Sequence, residues 1–538
     1  MKDRILTLFV LAGILYSCGE KAKDQKHQKE EPKKDYVVLE GHIKTDGNET
    51  EDIYLLVDPL VIENNIVKKI FLDKEGNFKD SIQNIKEGYY ILMNSDNKAV
   101  NLYLKNDDVI HVKTNALSNE SFLDSLSVEG NIESVFLTDY EKFKQSNFDS
   151  NIQELFSLDE EPFKAKLDSL KHRSTKYVEE YKGLSQEAKK VAKEDILYGW
   201  GLVLNSYPMA HAQIKQDRNY RPSESYYDFS KAIDINNPTL FKNNAKYRNY
   251  VAQELNRRIA KGYKPTQGED QIDYFVKKLN QDSIVPYIKD FMLIQLANQG
   301  IFQPAPTYEQ YQQNVLQSVQ AQIQAFKKQN PQAQIPASAT PTKEQIQKEY
   351  NKYVEEYNKF YDKSYNKVIT NVETPEFKRI LEENNRIIKG LKKGDVAPAI
   401  EIIKDGKSTD LVGLNKGKNL LVYFWTTSSE NTTDFFDDYN KLADEFLNKN
   451  IIFATVNIDF LNKKEKWNLT LKEKQIKGEH YFATDDWDTG FIKSYGFNIR
   501  PFPRFVLING EGNIIDFDAP TPKDPKLKKI LSELINAK

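Results

Sequence analysis

Cysteine is almost absent from this chain of 538 residues, which contains only one, Cys18. A disulfide joins two thiols, so none can form within a single copy. Histidine is also sparse, and the six residues have neither the i, i+4 spacing nor the thiolate partners typical of zinc sites. We therefore expect no metal site and no cofactor. The histidines are His27, His42, His111, His172, His211 and His480.

The chain also lacks an excess of charge of one sign and long apolar segments. Its 76 basic and 79 acidic residues give a net charge of -3, so no global field favours nucleic acid as a partner. Hydrophobic residues make up 39%, which suffices for folded domains and not for several membrane spans. At about 150 residues per domain, the length predicts three to four domains.

The N-terminus has the pattern of a secretion signal. Lys2 and Arg4 precede an apolar run over 5–15, which is too short for a permanent membrane span. The following Leu15-Tyr16-Ser17-Cys18-Gly19 resembles the bacterial lipobox, which implies cleavage before Cys18 and acylation of that residue. The alternative is an ordinary signal peptide in which the cysteine is incidental.

The lipobox resemblance implies a signal peptide over 1–17 and a partner in the membrane, reached through N-terminal acyl chains. Several acyl chains anchor a protein stably, whereas one binds only marginally. Residues 18–35 are dominated by Lys, Glu, Asp and Gln, which predicts a flexible tether. We expect a lipid-anchored protein of the cell envelope, with the outer membrane favoured and its periplasmic or surface face undetermined.

Short apolar or alternating runs divided by turn signals fill residues 36–131. This pattern predicts a β-sandwich. With Gly76-Asn77-Phe78 and Gly88-Tyr89-Tyr90, the segment also resembles a domain of unknown function that precedes thioredoxin-like domains in lipoproteins of Bacteroidetes.

Apolar residues recur at helical spacing over 132–393, which predicts a helical bundle. Thr342 with Gln345, and Thr307 with Gln310, have capping-box spacing and predict helix starts. A Gln-rich insertion over about 303–347 carries a further apolar stripe. It is either a protruding hairpin that docks a partner or an ordinary bundle helix, and the second interpretation is favoured because such stripes are usually core. The stripe comprises Tyr308, Tyr311, Val315, Val319, Ile323 and Phe326.

Strand and helix patterns alternate over 394–538, which predicts an α/β domain with a mainly parallel sheet. The continuous apolar run over 420–425 is typical of a central strand buried on both faces. The predicted fold class is therefore multidomain, with an N-terminal β-sandwich, a central α-helical bundle and a C-terminal α/β domain.

Three motifs in this last segment carry a resemblance: Gly417-Lys418, Phe424-Trp425-Thr426-Thr427, and Pro503-Arg504-Phe505-Val506-Leu507-Ile508-Asn509-Gly510. They look like the TlpA-type thiol-disulfide oxidoreductases of Bacteroidetes, which have a thioredoxin-like (AhpC/TSA-like) fold. The resemblance implies a Cys-x-x-Cys pair directly after the tryptophan-containing strand. Here those positions read Ser429-Glu430-Asn431-Thr432, and both cysteines are absent.

Hydroxyl groups at Ser429 and Thr432 cannot form the sulfur bonds of thiol-disulfide exchange. Ser429 or Thr432 is instead a suitable N-cap for the next helix. A serine nucleophile would need a nearby base, and the only histidine of this domain, His480, lies far along the chain from Ser429. We therefore expect no enzymatic activity, against the alternative of a thiol-disulfide oxidoreductase that the family resemblance implies.

The resemblance also implies a peptide-binding groove beside a cis proline aligned with Pro503. In the family, the chain before this proline pairs with an extended peptide. The candidate groove residues are Trp425, Ser428, Ser429, Phe502 and Pro503. The alternative is that the proline only fixes a turn. If the groove is present, the protein would act as a protein- or peptide-binding accessory or scaffold subunit of a membrane complex.

Four short Asp-Ser-apolar sequences resemble the motif that Bacteroidetes glycosylate on exported proteins. They place candidate O-glycosylation at Ser81, Ser125, Ser169 and Ser283. Motifs of three residues also arise by chance.

Overall fold

The computed structural model describes most of the chain beyond the N-terminal segment. The described residues are 35–44, 52–57, 66–94, 98–115, 122–147, 152–261, 263, 270–303, 305–306, 308–404, 407–427, 432–459, 463–483, 490–496 and 504–536. The predicted signal peptide, the lipidation site Cys18 and nearly all of the predicted tether lie outside them.

Two four-stranded sheets form the N-terminal domain. The elements are β1 (Tyr36–Lys44), β2 (Asp52–Val57), β3 (Ile66–Phe71), β4 (Asn77–Gln83), β5 (Gly88–Asn94), β6 (Ala99–Leu104), β7 (Val109–Asn115), α1 (Phe122–Ser125) and β8 (Ser127–Glu129). One sheet has the order β4-β1-β7-β8 and the other β3-β2-β5-β6. Residues of both sheets, including Leu39, Ile110, Leu55 and Leu102, share one buried core. The predicted β-sandwich is confirmed.

The backbones of β1 and β7 run parallel and approach closely at Gly41. A Cβ at Gly41 would lie 1.8 Å from the carbonyl oxygen of Val112, a distance that no side chain can occupy. Glycine is therefore required for this pairing.

Helices fill the central region, as predicted. They are α2 (Ile132–Asn147), α3 (Ile152–Ser157), α4 (Glu160–Glu180), α5 (Gln186–Ile214), α6 (Pro238–Asn243), α7 (Ala245–Lys261), α8 (Gln271–Gln281), α9 (Pro286–Gly300), α10 (Tyr308–Gln329), α11 (Lys343–Ile369) and α12 (Pro375–Lys389), with 3-10 turns at Tyr226–Ala232 and Ala337–Ala339. The main core includes Phe241, Tyr247, Leu255 and Phe377, all fully buried.

The Gln-rich insertion forms α10 and the start of α11. The predicted capping box is confirmed, since the Thr342 hydroxyl accepts the Gln345 backbone N–H at 3.2 Å and the Gln345 side chain accepts that of Thr342 at 2.8 Å. The second predicted start, Thr307, lies outside the described residues, and α10 begins at Tyr308. The favoured interpretation of the α10 stripe as core is wrong, because its described residues are only half-buried and Phe326 is exposed.

A seven-stranded sheet with flanking helices forms the C-terminal domain. Its elements are β9 (Glu401–Lys404), β10 (Lys407–Asp410), α13 (Leu411–Leu414), β11 (Asn419–Trp425), a 3-10 turn (Thr432–Phe435), α14 (Phe436–Glu445), β12 (Ile451–Asn457), α15 (Lys464–Lys474), β13 (Glu479–Ala483), α16 (Gly490–Ser494), β14 (Arg504–Ile508), β15 (Ile514–Ala519) and α17 (Pro525–Asn536). The strand order is β10-β9-β13-β12-β11-β14-β15.

The sheet is mixed, which corrects the expectation of a mainly parallel one. Among the described strands, only the pairs β11 with β12 and β12 with β13 are parallel. Short connections make β9 with β10 and β14 with β15 antiparallel hairpins. The pairs β13 with β9 and β11 with β14, which join these hairpins to the parallel centre, are also antiparallel.

The central strand β11 is buried along its whole length, as its apolar run predicts. Leu420, Val422 and Phe424 pack into a core on one face of the sheet. Leu421, Tyr423 and Trp425 pack into a second core on the other face. Among the described helices of the whole chain, none is long and apolar enough to cross a membrane.

Candidate functional site

The candidate site lies where β11 and β12 end. The two strands are parallel and in register, with Trp425 beside Asn457, so the loops that follow them leave the sheet at the same edge. One step beyond the register, the Ile458 backbone N–H donates to the Trp425 carbonyl oxygen at 3.0 Å. In open α/β sheets, this carboxyl edge is where ligands bind.

Asp459 joins the two strand ends. Its Oδ2 atom accepts the backbone N–H of Thr427 at 2.6 Å and the Asn457 side-chain amide at 3.0 Å. The Asp459 backbone N–H in turn donates to the Asn457 Oδ1 atom at 3.0 Å. Asp459 is buried, and its carboxylate fixes the direction in which the chain leaves β11. Sequence reasoning did not identify this residue.

Trp425 belongs to the core, and its ring is fully buried. Its indole packs edge-on against Phe436 of α14, with ring centroids 5.2 Å apart. The indole Nε1–H and the Thr427 hydroxyl are buried and have no hydrogen-bond partner in the described part of the chain. A groove at this edge would therefore be lined by other residues, with Trp425 beneath it.

The other groove candidates fall on segments that carry no structural description. Ser428, Ser429, Phe502 and Pro503 all lie outside the described residues. Thr432 is the first residue of the 3-10 turn that leads into α14. Thr432, the predicted second degenerate position, therefore lies at the start of a helical segment. The N-cap of α14 is Phe435, so the prediction that Thr432 caps this helix is wrong, and neither the other candidate cap, Ser429, nor the groove is tested.

Acidic residues dominate the start of the helix that follows β11. Asp434 lies in the 3-10 turn, and Asp437 and Asp438 lie in the first turn of α14. Burial raises the pKa of the Tyr423 hydroxyl, and the Asp434 charge adds to that rise. Negative charge here stabilises the helix start and would oppose formation of a thiolate beside it.

Arg504 is buried at the start of β14, directly after the segment that contains Pro503. Its guanidinium donates to the carbonyl oxygen of Phe517 at 3.0 Å, to that of Tyr495, and to the Asp518 carboxylate at 3.1 Å. These hydrogen bonds tie β14 to β15 and to the end of α16. A basic residue inside an apolar strand is the sequence signal that could have identified it.

His480 is engaged through both ring nitrogens. Its Nε2 atom lies 2.9 Å from the Ile476 carbonyl oxygen, so Nε2 carries the proton and Nδ1 accepts from the Thr455 hydroxyl at 3.0 Å. Burial lowers the pKa of this imidazole. Both ring nitrogens of His480 are therefore used in hydrogen bonds within the domain.

The remaining histidines of the described residues do not form a metal centre, and no three His, Cys, Asp or Glu residues there could hold a metal ion. His42 contacts the Asn77 side chain at 3.1 Å and His111 contacts Glu40 at 3.1 Å, both on the β-sandwich. His172 is exposed on α4. His211 lines a cleft that is described below.

The candidate glycosylation residues differ in accessibility. Ser81, Ser169 and Ser283 are exposed. The Ser125 hydroxyl is half-buried, donates to the Phe122 carbonyl oxygen at 3.1 Å and accepts the backbone N–H of Asn115 at 2.8 Å.

The comparison with protein families concerns the C-terminal domain. Residues 392–531 match the Redoxin family. The C-terminal domain is thioredoxin-like. The match supports the thioredoxin-like part of the predicted resemblance, and no curated protein matches the chain.

Several solved structures resemble this thioredoxin-like domain. The thioredoxin domain of a thiol-disulfide oxidoreductase from Bacteroides vulgatus is 25% identical, covers 27% of this chain and 100% of its own, and has a TM-score of 0.24. A thiol:disulfide interchange protein from Bacteroides sp. is 24% identical over 27% of this chain and 92% of its own, with a TM-score of 0.24. A thioredoxin-like protein from Parabacteroides distasonis is 23% identical over 27% and 96%, with a TM-score of 0.21.

Proposed function

We propose that this protein is a redox-inactive, thioredoxin-like lipoprotein of the cell envelope that binds a protein or peptide as an accessory or scaffold subunit of a membrane complex. The observation that carries the proposal is the cysteine count. A thioredoxin-like domain matches the Redoxin family, yet the chain has one cysteine, Cys18, far from that domain. Thiol-disulfide exchange by a single domain needs an attacking and a resolving thiol.

The retained architecture favours binding over loss of all function. Asp459 and Arg504 hold the ends of β11 and β14 through buried hydrogen bonds, on either side of the loops that would form the groove. In this proposal, the backbone before Pro503 adds a peptide as an extra strand, and the hydroxyls at Ser429 and Thr432 take no part in chemistry.

The redox part of the proposal is tested by insulin reduction with the purified chain and dithiothreitol. We expect no rate above that of dithiothreitol alone, and Cys18→Ala should leave this result unchanged. A measurable turnover would instead favour the oxidoreductase alternative.

The binding part is tested by crosslinking and co-purification from native membranes. Phe502→Ala and Ser429→Arg alter the proposed groove, and Lys441→Ala on the exposed side of α14 is the matched control. We expect both groove variants to lose a partner that the control retains. If every partner is retained by both groove variants, the groove is not the binding site.

Membrane attachment and modification belong to the same proposal and need separate measurements. Intact-mass analysis of the native protein should show an acylated N-terminal cysteine derived from Cys18, and Cys18→Ala should release the protein from the outer-membrane fraction. The same mass measurement tests for sugars at Ser81, Ser125, Ser169 and Ser283. A mass that fits the lipidated chain alone would remove the glycosylation hypothesis.

A further inference from the structure

A cleft of about 350 Å³ lies in the helical domain, away from the thioredoxin-like edge. It opens between the start of α4, the C-terminal part of α5 and the loop that follows α5. Its lining residues are Asp159, Glu160, Glu161, Pro162, Tyr207, His211 and Tyr220. Small-molecule sites usually measure about 300–1,000 Å³, so this volume suits a small ligand or a single long side chain.

His211 presents an unused acceptor to this cleft. Its ring is 5% exposed and contacts the rings of Tyr207 and Tyr220, with centroid distances of 4.9 Å and 4.6 Å. The Nδ1 atom lies 2.8 Å from the Phe156 carbonyl oxygen, so Nδ1 carries the proton of the neutral ring. Nε2 is then an acceptor, and it has no hydrogen-bond partner among the described residues.

The hydroxyl protons of the two tyrosines are already used within the protein. Tyr207 donates to the Leu158 carbonyl oxygen at 2.8 Å, and Tyr220 donates to Glu160 at 3.1 Å. Glu160 also accepts the Ser223 backbone N–H at 2.8 Å. Burial would raise the pKa of Glu160, but these hydrogen bonds outweigh it and the pKa is lowered, so the carboxylate is ionised at neutral pH. Tyr207 is fully buried and stacks on Phe163 and Tyr226, so Tyr220, which is half-buried, is the tyrosine whose ring face a ligand can reach.

The charge around the cleft is negative. Lys164 lies 3.4 Å from Glu161 and offsets one of the three carboxylates. Asp159 is exposed and has no ion-pair or side-chain hydrogen-bond partner among the described residues. The two remaining negative charges exceed the charge of about +0.5 at the start of a helix, so the cleft repels anions.

From these features we propose that the cleft binds an alkylguanidinium group, either as a free compound or as an arginine side chain. Such a cation donates several N–H groups, which complement the acceptors of Asp159 and His211. Its planar head stacks on aromatic faces such as that of Tyr220. The site is independent of the proposed role of the thioredoxin-like domain.

The test is calorimetric titration of the full chain with n-butylguanidine and with n-butylurea, its neutral isostere. We expect butylguanidine to bind with a Kd on the order of 1 mM and butylurea to bind at least about tenfold more weakly. Equal affinity for the two probes, or no binding of butylguanidine, would overturn the proposal because charge would then play no part.

Variants locate the binding. Asp159→Asn should weaken butylguanidine binding about fivefold, and Tyr220→Leu about threefold through the lost ring face. Glu187→Gln, at the equally exposed start of α5, is the matched control and should bind like the wild type. Because Asp159 is exposed, Asp159→Asn should fold normally, and its affinity tests the site even if Tyr220→Leu does not fold. Unchanged affinity in Asp159→Asn would contradict this site.

Two further titrations distinguish the sources of the ligand. Acetyl-Gly-Arg-Gly-amide binding more tightly than free arginine would identify a polypeptide side chain, whereas the reverse order would identify a free guanidino compound. Failure of both to bind would refute the proposal even if butylguanidine binds.

Discussion

Replacing Asp459 by alanine should loosen the edge of the thioredoxin-like domain. The substitution removes the carboxylate that accepts hydrogen bonds from Thr427 at 2.6 Å and from Asn457 at 3.0 Å, and it leaves both donors buried or partly buried without that acceptor. An unpaired buried donor costs about 1–3 kcal/mol. Since alanine also removes the cost of burying the charge, we expect a loss of about 3 kcal/mol in the free energy of unfolding.

Hydrogen exchange with mass spectrometry measures this loss in the full chain, where several domains make a single unfolding transition an unsuitable readout. A loss of about 3 kcal/mol lowers the protection of amides in β11 by about a hundredfold, if they exchange through opening of the domain. Asp459→Asn keeps one acceptor oxygen and should lose about 1 kcal/mol.

The control for this measurement is Asp438→Ala, which removes an acid from the first turn of α14 and should change stability by less than about 0.5 kcal/mol. Two outcomes would refute the reasoning. Protection of β11 could be unchanged in Asp459→Ala, or it could fall equally in Asp438→Ala. In either case, the carboxylate of Asp459 does not fix the strand ends.

Three further predictions concern the other domains. Burial would raise the pKa of Glu254, but ion pairs with Arg257 at 2.5 Å and Arg258 at 2.8 Å outweigh burial, and the pKa is lowered. The contribution of Glu254 to stability is therefore present above the unfolded pKa near 4.5 and is lost as pH falls through the folded pKa. Glu254→Gln should therefore lower the free energy of opening of α7 by about 2 kcal/mol at pH 7 and by much less at pH 3, as measured by hydrogen exchange of its amides, whereas an equal loss at both would contradict the ion-pair argument. Gly41→Ala should lower the free energy of unfolding by at least about 3 kcal/mol and expose β1 to proteolysis, because the new Cβ meets a backbone carbonyl that cannot move aside. Resistance to proteolysis equal to that of the wild type would show instead that the strands can separate. Thr342→Ala should destabilise the start of α11 by about 1 kcal/mol, seen as faster exchange of its first amides, and Thr342→Ser should restore protection.

The sequence predicted those elements whose burial follows a simple period. β11 was identified because every residue of a strand buried on both faces is apolar or nearly so. The short strands β9, second in the sheet, and β10, at its edge, have no comparable apolar run, since their stability comes from pairing with neighbours and not from their own composition. For α10, the spacing of the apolar stripe predicts an amphipathic helix, but it does not show what covers the apolar face.

The candidate sites were less predictable because they join residues that are distant in sequence. The assignment of Ser429 and Thr432 as degenerate redox positions rests on the family motif alone and stays a prediction. The hydrogen bond from Thr427 to Asp459, however, links two loops after different strands, and no local pattern specifies it. The cleft at His211 depends in the same way on α4 and α5 meeting across a loop.

The position of Trp425 shows how the fold of this domain can be independent of the loop that follows β11. Its ring and the other β11 side chains pack into two cores formed by neighbouring strands and helices, and the strand end is held by Asp459. Redox chemistry depends on the loop beyond this strand, whereas stability depends on the strand itself. Under the proposed function, a change of side chain at Ser429 or Thr432 would therefore alter the chemistry of the loop and leave the contacts of β11 in both cores in place. A domain with this separation between core and loop can be retained for binding alone.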